Sequence, residues 1–191
     1  MLTREKLFSL EEYHLLRPAF RAKVIAVKKM RTMALGAHAS LHFENELTMR
    51  YQVQEMVRLE RMYEPEKIQE ELDVYNPLIP DGANWKATLM IEYPDPEERK
   101  QALAQLKGFE KAVWVQVGGL AKIHPIANED LDRETEVKTS AVHFLRFELT
   151  PEMVAAAQTG APIRAGVDHP AYRAEVLLSR ETAESLVSDL A

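Results

Sequence analysis

The sequence predicts an α+β fold: a curved antiparallel sheet or partial β-barrel with N-terminal helices packed against it. Three observations carry this. Up to about residue 80 the apolar side chains recur at helical spacing. From about residue 81 onward, short segments alternate apolar and polar residues between turn-forming glycines, prolines and asparagines. The links between those segments are mostly turns or short connections, which favours antiparallel pairing. A chain of 191 residues suits one domain spanning 1–191, helical in its first part and sheet-rich in its second.

Ser9 with Glu12 forms a capping-box pattern and opens the first helix. Tyr13, Leu16, Phe20, Val24 and Val27 keep its apolar stripe, and Pro18 is expected to kink or divide it. Thr32–Leu35 and Ala39–Glu44 flank Gly36 as a short hairpin. There Leu41 and Phe43 face inward, and His38, Ser40, His42 and Glu44 face out. Asn45–Tyr63 is the longest helix, and Glu64-Pro65 starts another, buried through Ile68, Leu72 and Tyr75. Asn76 to Gly82 is a stiff loop closed by a turn. Trp85–Tyr93 is a strand, and Asp95-Pro96-Glu97 caps a helix that ends at Lys107-Gly108. Val113, Val115 and Val117 alternate, Gly118-Gly119 turns, and Leu120–Ile126 returns as the clearest hairpin. Residues 127–138 are polar and acid-rich, an exposed loop or short helix. Thr139–Leu149 is a long strand, and Thr150-Pro151-Glu152 caps a short helix that stops at Gly160. Ile163–Val167 and Tyr172–Leu178 are strands joined by the loop Asp168-His169-Pro170. Ser179 caps a last helix that docks through Leu186, Val187 and Leu190.

Hydrophobic content of 46% against 28% charged residues permits a sizeable core. With 24 basic and 30 acidic side chains the net charge is -6, which argues against a general nucleic-acid binder. One local exception is Arg17 to Arg31, which holds six basic residues and no acid. No aromatic ladder interleaves with them, so they read as a solvated face, with Lys28, Lys29 and Arg31 favoured at a helix C-terminus. Cysteine is absent, which removes disulfides, thiolate nucleophiles, thiolate zinc sites and cysteine-ligated iron–sulfur clusters. The N-terminus carries Glu11 and Glu12 and lacks an apolar signal core, and no apolar run is long enough to span a membrane. A cytoplasmic protein is expected.

The long helix holds the oddest polar pattern. At about 100° per residue, Arg50, Gln54, Arg58 and Arg61 form a solvent face. Met49, Val53, Met56, Val57, Leu59 and Tyr63 form a core face. Gln52 and Glu60 intrude on that core face, in one row with Met56, and Glu55 sits on the flank. A buried carboxylate needs a partner. Gln52 and Glu60 are therefore both expected to be at least partly buried against the sheet, with Glu60 opposite Arg146 or His143, or else binding a metal or ligand.

Elsewhere in the chain, motifs that carry chemistry are sparse. The seven glycines form no phosphate cradle, and no nucleophile elbow, HExxH or EF-hand pattern is present. His38 and His42 stand about 13 Å apart on a strand, too far for one ion. On Thr139–Leu149, His143 shares a face with Leu145, Phe147 and Leu149, as a core histidine would. Arg146 and Glu148 share the other face and can pair. Asp168-His169-Pro170 reads as turn chemistry. The candidate ligand-binding residues are Gln52, Glu60, Arg146 and Glu148, and the candidate metal ligands are Glu60, His143 and His169, a set suited to iron, manganese or zinc.

The strings YQVQEMVRLER (Tyr51–Arg61), YNPLIPDG (Tyr75–Gly82), TSAVHFLRFEL (Thr139–Leu149) and GVDHPAY (Gly166–Tyr172), in this order, resemble the uncharacterised bacterial family known as domain of unknown function 3501. The resemblance covers nearly the whole chain and implies no established activity or site. It implies genes beside those for rubrerythrin and an iron–sulfur protein similar to heterodisulfide reductase subunits, and so a role around peroxide or oxygen stress. Two functions follow as expectations. One is a small accessory or binding protein working with a rubrerythrin-like or iron–sulfur redox partner. The other is a metal-dependent enzyme with histidine and carboxylate ligands.

Overall fold

The computed structural model describes residues 1–191 except 131, 132, 134 and 136. The expected loop or helix over 127–138 therefore lies partly outside the described residues. Among the described residues the chain forms seven α-helices and two antiparallel sheets, of five and three strands, and neither sheet closes into a barrel. The α+β class follows directly, with two sheets in place of one curved sheet.

Helix α1 (Leu10–Met30) starts at the expected capping box, Ser9 accepting from the Glu12 N–H while Glu12 bonds back. It runs unbroken through Pro18, so the expected division does not occur. The hairpin β1 (Thr32–Ala34) and β2 (Ala39–Phe43) follows, turning at Gly36 with φ +73°. Then come α2 (Glu46–Leu59), capped by Asn45, and α3 (Pro65–Tyr75), with proline at its first position. These helices pack chiefly on one another and on the N-terminal segment. Leu2, Met49, Val53, Val57, Met62 and Leu72 form that second apolar cluster, separate from the sheet core.

The larger core fills the space between the sheets. The five-stranded sheet runs β1-β2-β3-β6-β5, with β3 at Asn84–Ile91, β5 at Ile126–Ala127 and β6 at Val142–Glu148. The three-stranded sheet runs β4-β7-β8, with β4 at Val113–Val117, β7 at Ile163–His169 and β8 at Tyr172–Leu177. Their inner faces bury Leu41, Phe43, Trp85, Leu89, Phe147, Val115 and Val167. Helices α4 (Pro96–Gln105), α5 (Phe109–Ala112), α6 (Pro151–Gln158) and α7 (Arg180–Val187) connect or flank the strands. Trp85 is fully buried and donates its indole N–H to the Leu186 carbonyl at 3.0 Å, which ties α7 to the sheet.

Two strand readings change. The return of the expected hairpin after Gly118-Gly119 makes a single bridge, Val115 with Ile123. Pro125 cannot donate to a ladder, and the chain leaves to pair as β5 with β6, so β4 takes β7 as its neighbour. Asp168 and His169, expected in a loop, are strand residues, and only Pro170-Ala171 turns.

Candidate functional site

The two sheets meet at a corner and then part. At the corner the Tyr172 hydroxyl donates to the Leu35 carbonyl and accepts the His38 N–H at 3.0 Å. A Cβ at Gly36 would stand 2.6 Å from that hydroxyl, so only glycine lets the turn approach so closely. From there β1 and β8 diverge, and at the far end Thr182 Oγ1 donates to the Met30 carbonyl at 2.8 Å. Between them opens a groove of about 560 Å³, lined by Met30, Thr32, Ala34, Val176, Leu177 and Glu181 among others.

Both walls are sheet edges, since among the described residues β1 pairs only with β2, and β8 only with β7. The Arg31 carbonyl accepts from Phe43 N–H, and Leu35 N–H donates to Ala39, so the residues between, Thr32 and Ala34, turn their backbone groups away from β2. Leu178 N–H donates to Ile163, and by the same alternation Arg173, Glu175 and Leu177 turn theirs away from β7.

A polar chain lies behind the β1 wall. Thr32 Oγ1 donates to the Lys28 carbonyl at 2.8 Å and stands 3.1 Å from His42 Nδ1. With its own proton committed to Lys28, Thr32 accepts from Nδ1–H. His42 Nε2 lies 2.9 Å from Ser40 Oγ. Burial pushes the His42 imidazole below its ordinary pKa, against the pull of Glu44 and Glu92. Ser40 Oγ donates to Glu92 Oε2 at 3.2 Å. Beside them the buried Glu44 carboxylate accepts from Thr48 and Thr88 hydroxyls at 2.7 and 2.8 Å. Ser40 and Glu44 were expected to face out, and they do point to the polar face of the sheet. That face is covered, so both are buried. The i, i+2 spacing of Ser40 and His42 was legible in the sequence. Thr32 was not, because the β1–β2 register alone brings it opposite His42.

A family model for a protein of unknown function, DUF3501, matches residues 1–190. The chain belongs to the DUF3501 family. Its fold is also that of a crystal structure of a protein of unknown function from Burkholderia pseudomallei K96243, at 48% sequence identity and a TM-score of 0.94, covering 100% of this chain and 99% of the other. No curated protein matches.

In this DUF3501 chain the residues singled out from sequence stand apart. Glu60 is exposed and caps the end of α2, so it is not held against the sheet. Gln52 is half-buried. The helix is rotated toward Gln54, which is fully buried and both accepts from and donates to the Phe8 backbone at 3.0 Å. Leu59 and Tyr63 misled the phase. The helix ends at Leu59, Arg61 takes a φ of +51°, and both apolar side chains are exposed. The helix does carry a carboxylate with cationic partners, but it is Glu55. That side chain accepts from Arg17 at 2.7 and 2.9 Å, from Arg58 at 3.0 Å and from the Tyr13 hydroxyl at 2.7 Å.

Arg146 does not meet Glu60. It pairs with Glu129, both contacts at 2.7 Å, and with Glu148, which also accepts from Asn84. His143 is fully buried, with Asn128 at Nδ1 and with Thr139 and the Ser140 carbonyl at Nε2. His169 Nδ1 accepts from Ala171 N–H, so Nε2 carries the proton it donates to the Lys107 carbonyl at 3.0 Å. Neither ring offers a lone pair to a cation in this arrangement. Among the described residues no three His, Asp or Glu side chains gather as a metal site, which disperses the expected set Glu60, His143 and His169. The Arg17 to Arg31 face is also not simply solvated: Arg17 serves Glu55 and Arg31 is buried.

This placement reverses one expectation quantitatively. A buried, paired Glu60 would cost about 3–5 kcal/mol on neutralisation. At its exposed position, Glu60→Gln is expected to change stability by less than about 0.5 kcal/mol, read from a urea melt, and to leave metal content unchanged.

Proposed function

We propose that this DUF3501 chain is a cytoplasmic accessory protein that holds an extended segment of a redox partner in the groove between β1 and β8. The observation that carries the proposal is that both walls of the groove are strand edges with backbone groups turned toward it. Strand edges recognise an extended chain through main-chain hydrogen bonds, while pockets beside them select alternate side chains. The lining suits apolar side chains: Met30 and Met33 are adaptable and Val176 and Leu177 are rigid, with Lys29 and Glu181 adding one charge of each sign. The partner class rests on the family resemblance. A chain without cysteine works beside a rubrerythrin-like or iron–sulfur protein as an accessory and carries no cysteine-ligated cluster itself.

The test uses purified rubrerythrin-like and heterodisulfide-reductase-like proteins from one organism, titrated against the chain. Binding to one of them is expected. Ala34→Pro removes an N–H that points into the groove and leaves the β1–β2 ladder intact, as an edge position permits. It is expected to weaken binding by about tenfold, near 1.4 kcal/mol, with an unchanged circular dichroism spectrum. Equal affinity for the variant, or no binding to either protein, overturns the proposal.

A further inference from the structure

The face of α1 that points away from the rest of the protein is apolar. Tyr13 and Val24 are buried on one side of the helix. On the other side Leu15 is 79% exposed, Ile25 49% and Leu16 45%. Ala19, Ala22 and Ala26 are exposed with them. At about 100° per residue, Leu15, Ala19, Ala22 and Ala26 fall within an arc of about 60°. They recur at the heptad spacing that forms the seam of a two-helix coiled coil. A single exposed leucine is ordinary, but a continuous apolar stripe along several turns marks a contact surface. We infer that α1 pairs with α1 of a second copy of this chain, antiparallel, about a two-fold axis that passes between Ala19 and Ala22.

Size and charge both select a second copy as the occupant. With the axis between Ala19 and Ala22, Leu15 of one copy meets Ala26 of the other and Ala19 meets Ala22, so the large side chain faces a small one and the helices approach closely. The acids Glu11 and Glu12 lie in the first turn and Lys29 in the last. Antiparallel pairing therefore sets the acids of one copy beside Lys29 of the other at both ends, whereas parallel pairing sets like charges together. The helix dipoles also oppose in the antiparallel arrangement. These charges are available: Arg17 and Arg31 are taken by Glu55 and Asp189, while among the described residues Glu11 and Lys29 enter no ion pair within the chain. From Glu11 to Lys29 the pair is about 27 Å long, a contact smaller than the roughly 800 Å² per partner of a standard interface, so the dimer is a reversible one.

This inference uses a different face from the partner reading: of the residues named for it, only Lys29 also lines the groove. Sedimentation equilibrium of the full chain is expected to show monomer and dimer in exchange, with a Kd of about 1–100 μM. Ala22→Glu puts two carboxylates at the two-fold axis on an exposed helix position, where glutamate is a good helix former. It is expected to weaken the dimer more than about a hundredfold with an unchanged circular dichroism spectrum. Glu11→Lys and Lys29→Glu each weaken self-association by about fivefold, and the two variants mixed pair as tightly as the parent, because each supplies the charge the other lacks. The chain has no cysteine, so introduced ones report direction. Leu15→Cys mixed with Ala26→Cys gives a disulfide-linked dimer on oxidation. Leu15→Cys alone does not, since the two positions 15 stand about 16 Å apart along the pair. A monomer at every concentration, a dimer that survives Ala22→Glu, no recovery on mixing the charge variants, or a linked dimer of Leu15→Cys alone overturns the inference. So does a monomer that sediments with vesicles of phosphatidylglycerol and phosphatidylethanolamine, which would make this face a membrane-binding one. The partner titration repeated on Ala22→Glu, which keeps every groove residue, separates this result from that of the partner proposal.

Discussion

Replacing Arg31 with alanine is expected to destabilise the protein by about 3–5 kcal/mol, the largest effect of any single substitution considered for this fold. Arg31 ends α1 with 1% of its surface exposed. Its Nε donates to the Phe43 carbonyl at 3.0 Å and Nη2 to the Glu44 carbonyl at 3.0 Å. Nη1 reaches the Ser185 carbonyl at 2.8 Å and its hydroxyl at 3.0 Å, and Nη2 also pairs with Asp189. One guanidinium thus joins the first helix, the β2 strand end and the C-terminal helix. Alanine would leave Asp189 desolvated without its cation and several carbonyls without donors. Burial already raises the Asp189 carboxyl above its ordinary pKa, with Arg31 opposing that rise. Lysine is not expected to rescue, because a point charge cannot reach three directions from one plane. Urea melts of Arg31→Ala and Arg31→Lys check this. A loss under 1 kcal/mol for Arg31→Ala would mean that the two ends of the chain are held by other contacts.

Glu55→Gln is expected to cost about 2 kcal/mol at neutral pH and to flatten the acid limb of the stability curve. The Arg17 hydrogen bonds, then those of Arg58 and Tyr13, hold the Glu55 carboxyl down at about 2 against the opposing effect of burial. Its side chain is only 14% exposed, so solvent screens these contacts weakly, although both arginines are about a third exposed and their share is smaller for it. The sign is fixed by linkage. A carboxyl depressed in the folded state contributes its full stabilisation above its unfolded value. That contribution fades as pH falls from the ordinary glutamate range toward about 2. Wild type should therefore lose stability across this window more steeply than Glu55→Gln, as followed by urea midpoints between pH 5 and about 2. Parallel curves for the two proteins would remove Glu55 as the tie between α1 and α2.

The local part of this structure was legible in the sequence. The caps at Ser9, Asp95, Thr150 and Ser179 all form as written, because each depends on a few adjacent residues. The β6 faces also follow from alternation, with His143, Leu145 and Phe147 buried and Arg146 beside Glu148 on the other side. The rest depended on distant partners. Gln54 is buried because the Phe8 backbone satisfies its amide, which no helical wheel contains. Arg31 resembles any basic residue near a helix end until residues at positions 185 and 189 meet it. The return strand after Gly119 had good turn chemistry, and Pro125 together with the β7 partner decided against it. The contact between Thr32 and His42 was invisible for the same reason. His42 and Thr32 are ten positions apart and meet only through the hairpin register.

The proposed binding of an extended protein segment at the edges of β1 and β8 is read by amide hydrogen exchange, residue by residue on this chain, with and without a saturating rubrerythrin-like or iron–sulfur partner. Slowed exchange at Ala34 and Leu177, which line the groove and turn their N–H groups away from their ladders, is the predicted result. Unchanged exchange at those two amides with both proteins, whatever slows elsewhere, would contradict it.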